Sequence, residues 1–395
     1  MKKKKAKFLK MSMCIFIVMT LSACWSAREL NDIAIVMGVG IDKAKELNEL
    51  DMTVQVVDPT QIKGGAKDST GNGGRKEAFI NLENTGITIS EALKGINRKL
   101  DRELFFSDNQ IIVIGKSLAE EGIGKKLDFF LRHRETRLLV WVLVSKETAR
   151  EVLDISPKIE SISANNIAEL IKIEKENSQI TAVNLKDFSA KLMSKTTAPV
   201  APMIEVVTEK SGSIVYIAET AVFKKDKMIG KLDNKETKGY LWITNEVKRG
   251  IIELAVPNIN EVVSLETTRS KSKITPKMKD GKIVFNIEIK EEGDLADQLS
   301  IENLAKPAAF EKLEKSKAAS IKNEIMAAVK RAKELNADIF GFGDKVHQHY
   351  PKEWKKLQYE WDKIFPEVEV EVKVEAKLRR SGRITKPIMS KDEEG

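Results

Sequence analysis

Cysteine and histidine are nearly absent from this chain: 395 residues hold two cysteines, Cys14 and Cys24, and three histidines, His133, His347 and His349. So few thiols exclude a disulfide framework and a cysteine-rich metal site. Three histidines leave few places for a Ser-His-Asp arrangement, and no GxSxG motif occurs. His347 and His349 stand at i and i+2, which on a strand would let them share a metal. They fall in a segment that reads as helix or turn, where they diverge, and neither HExxH nor HxxxH is present. His133, alone in HRET, reads as a surface residue after a helix. No window fits GxxxxGK[ST], so a phosphate cradle is unsupported. Gly38 and Gly40 make a GxG after a strand, but Lys43 occupies the place of the third glycine and no helix pattern follows. The pair reads instead as a bulge or a close backbone crossing. Carboxylates are plentiful on hydrophilic faces, and because separations in space are invisible in a sequence, a carboxylate pair stays open. No catalytic residue, cofactor or metal is expected.

A long apolar run is also missing at the amino terminus: residues 11–21 are uncharged and apolar, about half of the roughly 20 residues that a membrane-spanning helix needs. What surrounds that run is more telling. Lys2, Lys3, Lys4, Lys5, Lys7 and Lys10 precede it, and Leu21, Ser22, Ala23 and Cys24 follow it. Positive n-region, short h-region and small residues make a signal peptide, and the cysteine makes it a lipobox. Cleavage between Ala23 and Cys24 would leave Cys24 to carry an S-diacylglycerol and an N-acyl chain. The alternative is a plain signal peptide or an uncleaved signal anchor with a chance cysteine. One acyl chain holds a protein marginally, at about 0.8 kcal/mol per buried CH₂, whereas two or three hold it firmly. Of the formal charge of +8, six units are the lysines of residues 1–23, which contain no acid, leaving +2 on the remainder. The basic balance is therefore no argument for nucleic acid. Without 23 of its 395 residues the chain keeps 372, enough for two or three domains.

Along the chain, residues 33–41 form a nearly continuous apolar run suited to a strand buried on both faces, and residues 51–58 alternate, with 43–49 as a hairpin loop. Residues 60–76 are rich in glycine and read as a flexible surface loop. Strand and helix then alternate: a strand at 79–82, a helix capped by Thr88 or Ser90, a strand at 110–114, a helix at 117–131, a strand at 137–144 and a helix from 146 capped by Ser145. From 157 the pattern is helical and amphipathic until TTAPVAP at 196–202 breaks it. Beyond that come hairpins at 214–232 and at 262–290, the second turning at Asp280-Gly281. The cluster 269–282 carries five net positive charges, read as a solvated tip or as a contact with anionic lipid. A long helix at 308–335 reads as lying across its own sheet, and Trp354, Leu357, Trp361 and Phe365 form a second apolar stripe. Val368 to Leu378 alternate apolar and charged six times in succession, as a half-buried strand does. The expected fold is α+β and multi-lobed, with mixed β-sheets flanked by helices. Its divisions are a signal peptide at 1–23, an N-terminal α/β domain at 24–156, a helical lobe or bridge at 157–202, a C-terminal α+β domain at 203–382 and a mobile tail at 383–395.

In combination these stretches resemble the Ger(x)C family, the lipoprotein C subunits of spore germinant receptors. The likeness rests on CWSARELNDIAIVMGVGID at 24–42, FFSDNQIIVIGKSLAEEGI at 105–123, LDFFLRHRETR at 127–137, ETAVFKKDKMIGKLDNKETKGYLW at 219–242, GFG at 341–343, and the alternating strand followed by Arg380, Ser381 and Gly382. Ser26 and His133 stand where many members have Asp. The resemblance implies a non-enzymatic subunit of a three-part receptor in the spore inner membrane, needed for nutrient-triggered germination and lipid-anchored on the membrane's outer face. Its partners would be an A subunit with a large soluble domain and a B subunit similar to an amino-acid transporter, with no nucleic acid involved. A lipid-anchored substrate-binding protein of a transporter is the alternative, but it calls for similar lobes around a cleft and the halves here are dissimilar. A lipid-anchored envelope hydrolase is supported only by the carboxylates.

Overall fold

A computed structural model describes residues 29–62, 77–210, 212–255, 262–299, 302–382 and 384. Cys24 and the signal region, residues 63–76 of the glycine-rich loop, and the tail apart from Ile384 lie outside them. The apolar run after the signal becomes β1 (Ile33–Lys43), which runs through the middle of a nine-stranded mixed sheet ordered β3-β2-β1-β5-β6-β7-β8-β9, with β4 beside the start of β1. These strands are β2 (Leu50–Val57), β3 (Phe79–Gly86), β4 (Glu103–Phe105), β5 (Ile111–Gly115), β6 (Trp141–Ser145), β7 (Val200–Glu209), β8 (Gly212–Lys224) and β9 (Lys227–Leu232). The pairings β1 with β4, β1 with β5, β5 with β6 and β6 with β7 are parallel. Those five strands therefore all begin at one end of the sheet. The hairpin formed by β1 and β2 turns at the opposite end, where Lys43 faces Leu50.

Burial on both faces accounts for the unbroken apolar runs. Ile111, Val113 and Leu143 feed one core, while Ile112, Ile114, Val142 and Val144 feed the other. After β2 comes the single turn α1 (Pro59–Ile62). The helices α2 (Ile89–Asn97), α3 (Lys116–Glu121), α4 (Gly124–Arg132) and α7 (Leu185–Leu192) cover one face, and α5 (Ala149–Leu153) and α6 (Ser163–Glu176) the other. Thr88, one of the two expected caps, accepts the backbone N–H of Glu91 at the start of α2. The segment 157–202 connects the two halves along this sheet: α6 packs into its core through Ala164, Ile167 and Ile171, and β7 then pairs with β6. The first sheet so takes three strands, β7 to β9, from around and beyond residue 202.

Three local expectations are corrected. The helix expected over 117–131 is two, because Gly122 turns out at φ 131° and the N–H of Ile123 donates to the carbonyl of Asp226. Ser145 closes β6 instead of capping a helix, and α5 starts later, capped by Thr148 accepting from Glu151 N–H. The strand expected from 137 starts only at Trp141, because residues 133–140 form successive turns.

The second sheet has the order β10-β11-β12-β13, made of β10 (Gly250–Ala255), β11 (Val262–Lys279), β12 (Lys282–Gln298) and β13 (Glu369–Arg380). Asp280 and Gly281, at φ 50° and 77°, turn β11 into β12 with the double positive φ of a type I′ turn. β13 pairs in parallel with β12, and its charged positions Glu369, Glu371, Lys373, Glu375 and Lys377 are exposed in alternation. Between the sheets lie α8 (Asn234–Ile243), closed by a capping box of Asp233 and Glu236, and α9 (Pro307–Glu334), which begins on a proline. After α10 (Phe342–His349), the second aromatic stripe is spread over α11 (Pro351–Leu357), α12 (Trp361–Ile364) and the 3₁₀ turn Phe365–Glu367, so that Trp354, Trp361 and Phe365 are buried although no continuous helix carries them. One core runs from Val36 and Ile112 of the first sheet to Phe285 and Ile287 of the second.

Candidate functional site

Cys24, the one residue with an expected chemistry, lies outside the described residues, so the structure bears on its surroundings alone. The first described residue, Glu29, precedes a 3₁₀ turn at Leu30–Asp32 that feeds directly into β1. Within β1 the glycines do both things expected of them. The register shifts between Val36 and Gly38, and a Cβ on Gly38 would lie 2.9 Å from that of Ala164, while one on Gly40 would lie 3.1 Å from that of Ala149. Helices α5 and α6 cross the strand at contact distance because those side chains are missing. Asp42 ends the run. Its buried carboxylate accepts the N–H groups of Ala149 at 2.7 Å and Arg150 at 3.0 Å and so holds the start of α5, and Gly115 leaves room for it. Burial pushes the Asp42 carboxyl up in pKa and the two N–H donors oppose this.

A second constellation joins the two sheets. Asp338, in NADIFGFG, accepts from Phe342 N–H at 2.9 Å, Gly343 N–H at 2.8 Å and the Trp361 indole N–H at 3.1 Å. Full burial raises its pKa from 3.8 to about 6 against the pull of those donors. Around it, Asp344 accepts the hydroxyls of Thr196 and Thr197 at 3.0 and 2.7 Å, and Ala198 N–H reaches the Asp338 carbonyl at 2.8 Å. The proline-containing segment before β7 is thereby fastened to the turn after α9.

A third feature is an ion pair inside the second half. Lys317 on α9 meets Glu291 on β12 at 2.6 Å, and both side chains are wholly inaccessible. Burial drives the lysine pKa down and the glutamate pKa up, each opposed by the other's charge. Asp338, Lys317 and Glu291 are shut away from solvent, and Asp42 and Asp338 are engaged by backbone N–H donors.

The histidines are kept apart. His133, half-buried after α4, stacks on Phe129 and meets the edge of Phe106, both at 5.2 Å between centroids. His347 lies against Trp354 at 6.1 Å and His349 Nδ1 is 3.0 Å from the Lys345 carbonyl. Among the described residues no group of three or more His, Cys, Asp or Glu is placed to hold a metal. Three hollows bear on function, one of them, of about 450 Å³, lined by Asp42, Glu83 and Arg150. A cleft of about 230 Å³ sets Glu174 and Lys238 over Val215 and Ile217. A groove of about 400 Å³ lies between α2, β4 and the end of α4, with Leu104 and Phe106 as floor and Arg132 and Arg134 on its rim.

Comparison with known proteins decides the lineage. Residues 26–206 match the family described as "Spore germination protein N-terminal domain", and residues 218–382 match "Spore germination B3/ GerAC like, C-terminal". The chain belongs to the Ger(x)C family. Among Ger(x)C relatives, spore germination protein KC of Bacillus subtilis (strain 168) is 29% identical over 94% of this chain and 95% of its own length. Spore germination protein B3 of the same organism is 22% identical over 95% and 99%. The crystal structure of the GerBC protein aligns with a TM-score of 0.56 at 16% identity, over 86% of this chain and 97% of that one, which shows a shared α+β fold.

Within the Ger(x)C signature, Asp42 was visible in the sequence as the end of GVGID but its capping role was not, since the helix it holds starts more than a hundred residues later. Asp338, Glu291 and Lys317 went unremarked. For the last two a signal existed: Lys317 falls four residues from both Leu313 and Ile321 on the inward stripe of its helix, and Glu291 continues the inward alternation of Ile287 and Ile289.

Proposed function

We propose that the chain is the lipid-anchored, non-enzymatic C subunit of a nutrient germinant receptor, held on the outer face of the spore inner membrane and acting with an A and a B subunit in nutrient-triggered germination. The observation that carries this reading is the match of both halves to spore germination families directly behind the lipobox that ends in Cys24. No described helix is long and apolar enough to cross a membrane, which fits attachment through the acyl chains of Cys24 after removal of residues 1–23. Asp42 and Asp338 are engaged by backbone N–H donors, which fits a body that works by docking. A transporter's substrate-binding protein is disfavoured by the unlike sheets of nine and four strands.

The test is to replace the gene in its sporulating host with a deletion and with Cys24→Ala. The deletion abolishes or slows germination toward at least one nutrient, and Cys24→Ala leaves the protein unprocessed or moves it out of the spore membrane fraction. Unchanged germination by every nutrient in a strain without a redundant paralogue, or normal lipid labelling of the Cys24→Ala protein, overturns the reading.

A further inference from the structure

The end of the first sheet at which the parallel strands begin carries a patch that the receptor reading leaves unused. The connection from α4 to β6 exposes Leu138 at 44% and Leu139 at 68%, with Leu131 also exposed just before it. Arg132, Arg134 and Arg137 are interspersed with these leucines in the same nine residues. Arg132 and Arg137 have carboxylate neighbours, at 2.6 Å to Asp128 and 3.5 Å to Asp108, and Arg134 makes no ion pair with a described residue. Glu135 is turned inward, accepting from the N–H of Phe106 at 3.3 Å, while Glu103 shares the rim. Beside this connection lies the 400 Å³ groove with its apolar floor and arginine rim. That volume lies within the range of small-molecule sites, roughly 300–1,000 Å³.

Position decides the occupant. The ring of His133 in this connection touches Phe106, which directly follows β4, and β4 pairs with Ile33 to Ile35 at the very start of β1. The patch therefore adjoins the point where the chain enters the fold. Cys24 is five residues before Glu29, and five residues reach no further than roughly 18 Å even when fully extended. If Cys24 carries the lipid, this end of the sheet is held at the bilayer surface and the β1–β2 turn points away from it. Exposed leucines among arginines have the composition of segments that settle into the headgroup layer, and arginines there are drawn to anionic lipid.

We propose that the connection from α4 to β6 is a membrane-seating loop, with Leu138 and Leu139 entering the headgroup layer and Arg132 and Arg134 holding the phosphate of an anionic phospholipid at the mouth of the groove. This rests on the anchor reading and adds a fixed orientation to it: the lipid tethers the body, and the loop sets which face it turns to the membrane and so which faces stay open to the partner subunits.

The test uses the full lipidated chain in vesicles of phosphatidylcholine, with and without phosphatidylglycerol. An environment-sensitive fluorophore is placed at Leu139→Cys or, as the distal control, at Leu47→Cys in the β1–β2 turn, where the leucine is 85% exposed. In the anionic vesicles the label at 139 becomes roughly threefold less open to acrylamide and shifts to the blue, as expected of a side chain seated in the headgroup layer. The label at 47 is unaffected. Arg132→Glu combined with Arg134→Glu removes the dependence on phosphatidylglycerol while the protein still pellets with vesicles. A label at 139 that is as open to acrylamide as that at 47, in chain that pellets, overturns the seating loop and leaves the anchor intact. Chain that does not pellet overturns both.

Discussion

Asp338 is the single residue on which most of the junction between the sheets converges. Three N–H donors meet its carboxylate in a site closed to water, and the cost of stripping the charge of solvent exceeds what those donors return, so the pKa stands near 6. In an unfolded chain the same group titrates near 3.8. Between those values the folded state binds the proton more tightly, so stability from this group is fully present below 3.8 and is lost as pH rises through 6. The two-unit difference corresponds to about 3 kcal/mol. Asp338→Asn removes the titration and leaves one donor poorly matched, since its amide nitrogen cannot accept. Urea unfolding of both proteins from pH 4 to pH 7 is therefore expected to show the wild type's advantage over Asp338→Asn shrinking as pH rises. An advantage that stays constant across that range would show that Asp338 is already ionised at pH 4 in the folded chain.

At the scale of elements, α9 is fastened to the second sheet by the buried Lys317–Glu291 pair, beside Glu314, which accepts the N–H of Leu378 at 2.9 Å. Breaking a buried pair from one side strands a charge and costs about 3–5 kcal/mol, whereas replacing both partners by apolar residues is close to neutral. Lys317→Met and Glu291→Leu are each expected to lower the stability of the chain by that amount, and the double variant to recover most of it. Additive losses in the double-mutant cycle would mean that the two side chains do not share their site. Elements of this kind were legible wherever the pattern is local. The alternation in β13 and the Asp-Gly turn lie within a few residues and both formed. Boundaries set from far away were not legible: the break between α3 and α4 depends on Asp226 a hundred residues on, and the delayed start of α5 on Asp42. The candidate site divides in the same way. The expected lipobox is a contiguous motif, but the proposed seating loop has the composition of a strand in RLLVWVLV, and only the turns before Trp141 leave its first leucines in solvent.

For the whole molecule, the two family matches part the chain between 206 and 218, whereas the packing does not part there. A cut at that point would separate β7 from β8, which face each other from Val200 opposite Val222 to Glu209 opposite Gly212. It would leave a ten-residue edge strand bare, a liability that folded proteins avoid. The main core also passes from β1 and β5 through α8 and α9 to β12, with the Asp338 and Asp344 contacts closing the junction. Separate domains need separate cores, and among the described residues of the second half only a small cluster around Leu265, Leu295 and Leu313 stands apart from the main one. The body from residue 25 onward is thus expected to unfold as one unit despite its two sheets. Tryptophan emission, reporting mainly on Trp242, Trp354 and Trp361 in the second half and Trp141 in the first, should follow the same denaturant curve as far-ultraviolet circular dichroism, with one midpoint. Two resolved midpoints, or a fragment ending at 206 that melts cooperatively by itself, would show instead that the first sheet is complete without β8 and β9, and that the second half moves on the first as a separate body.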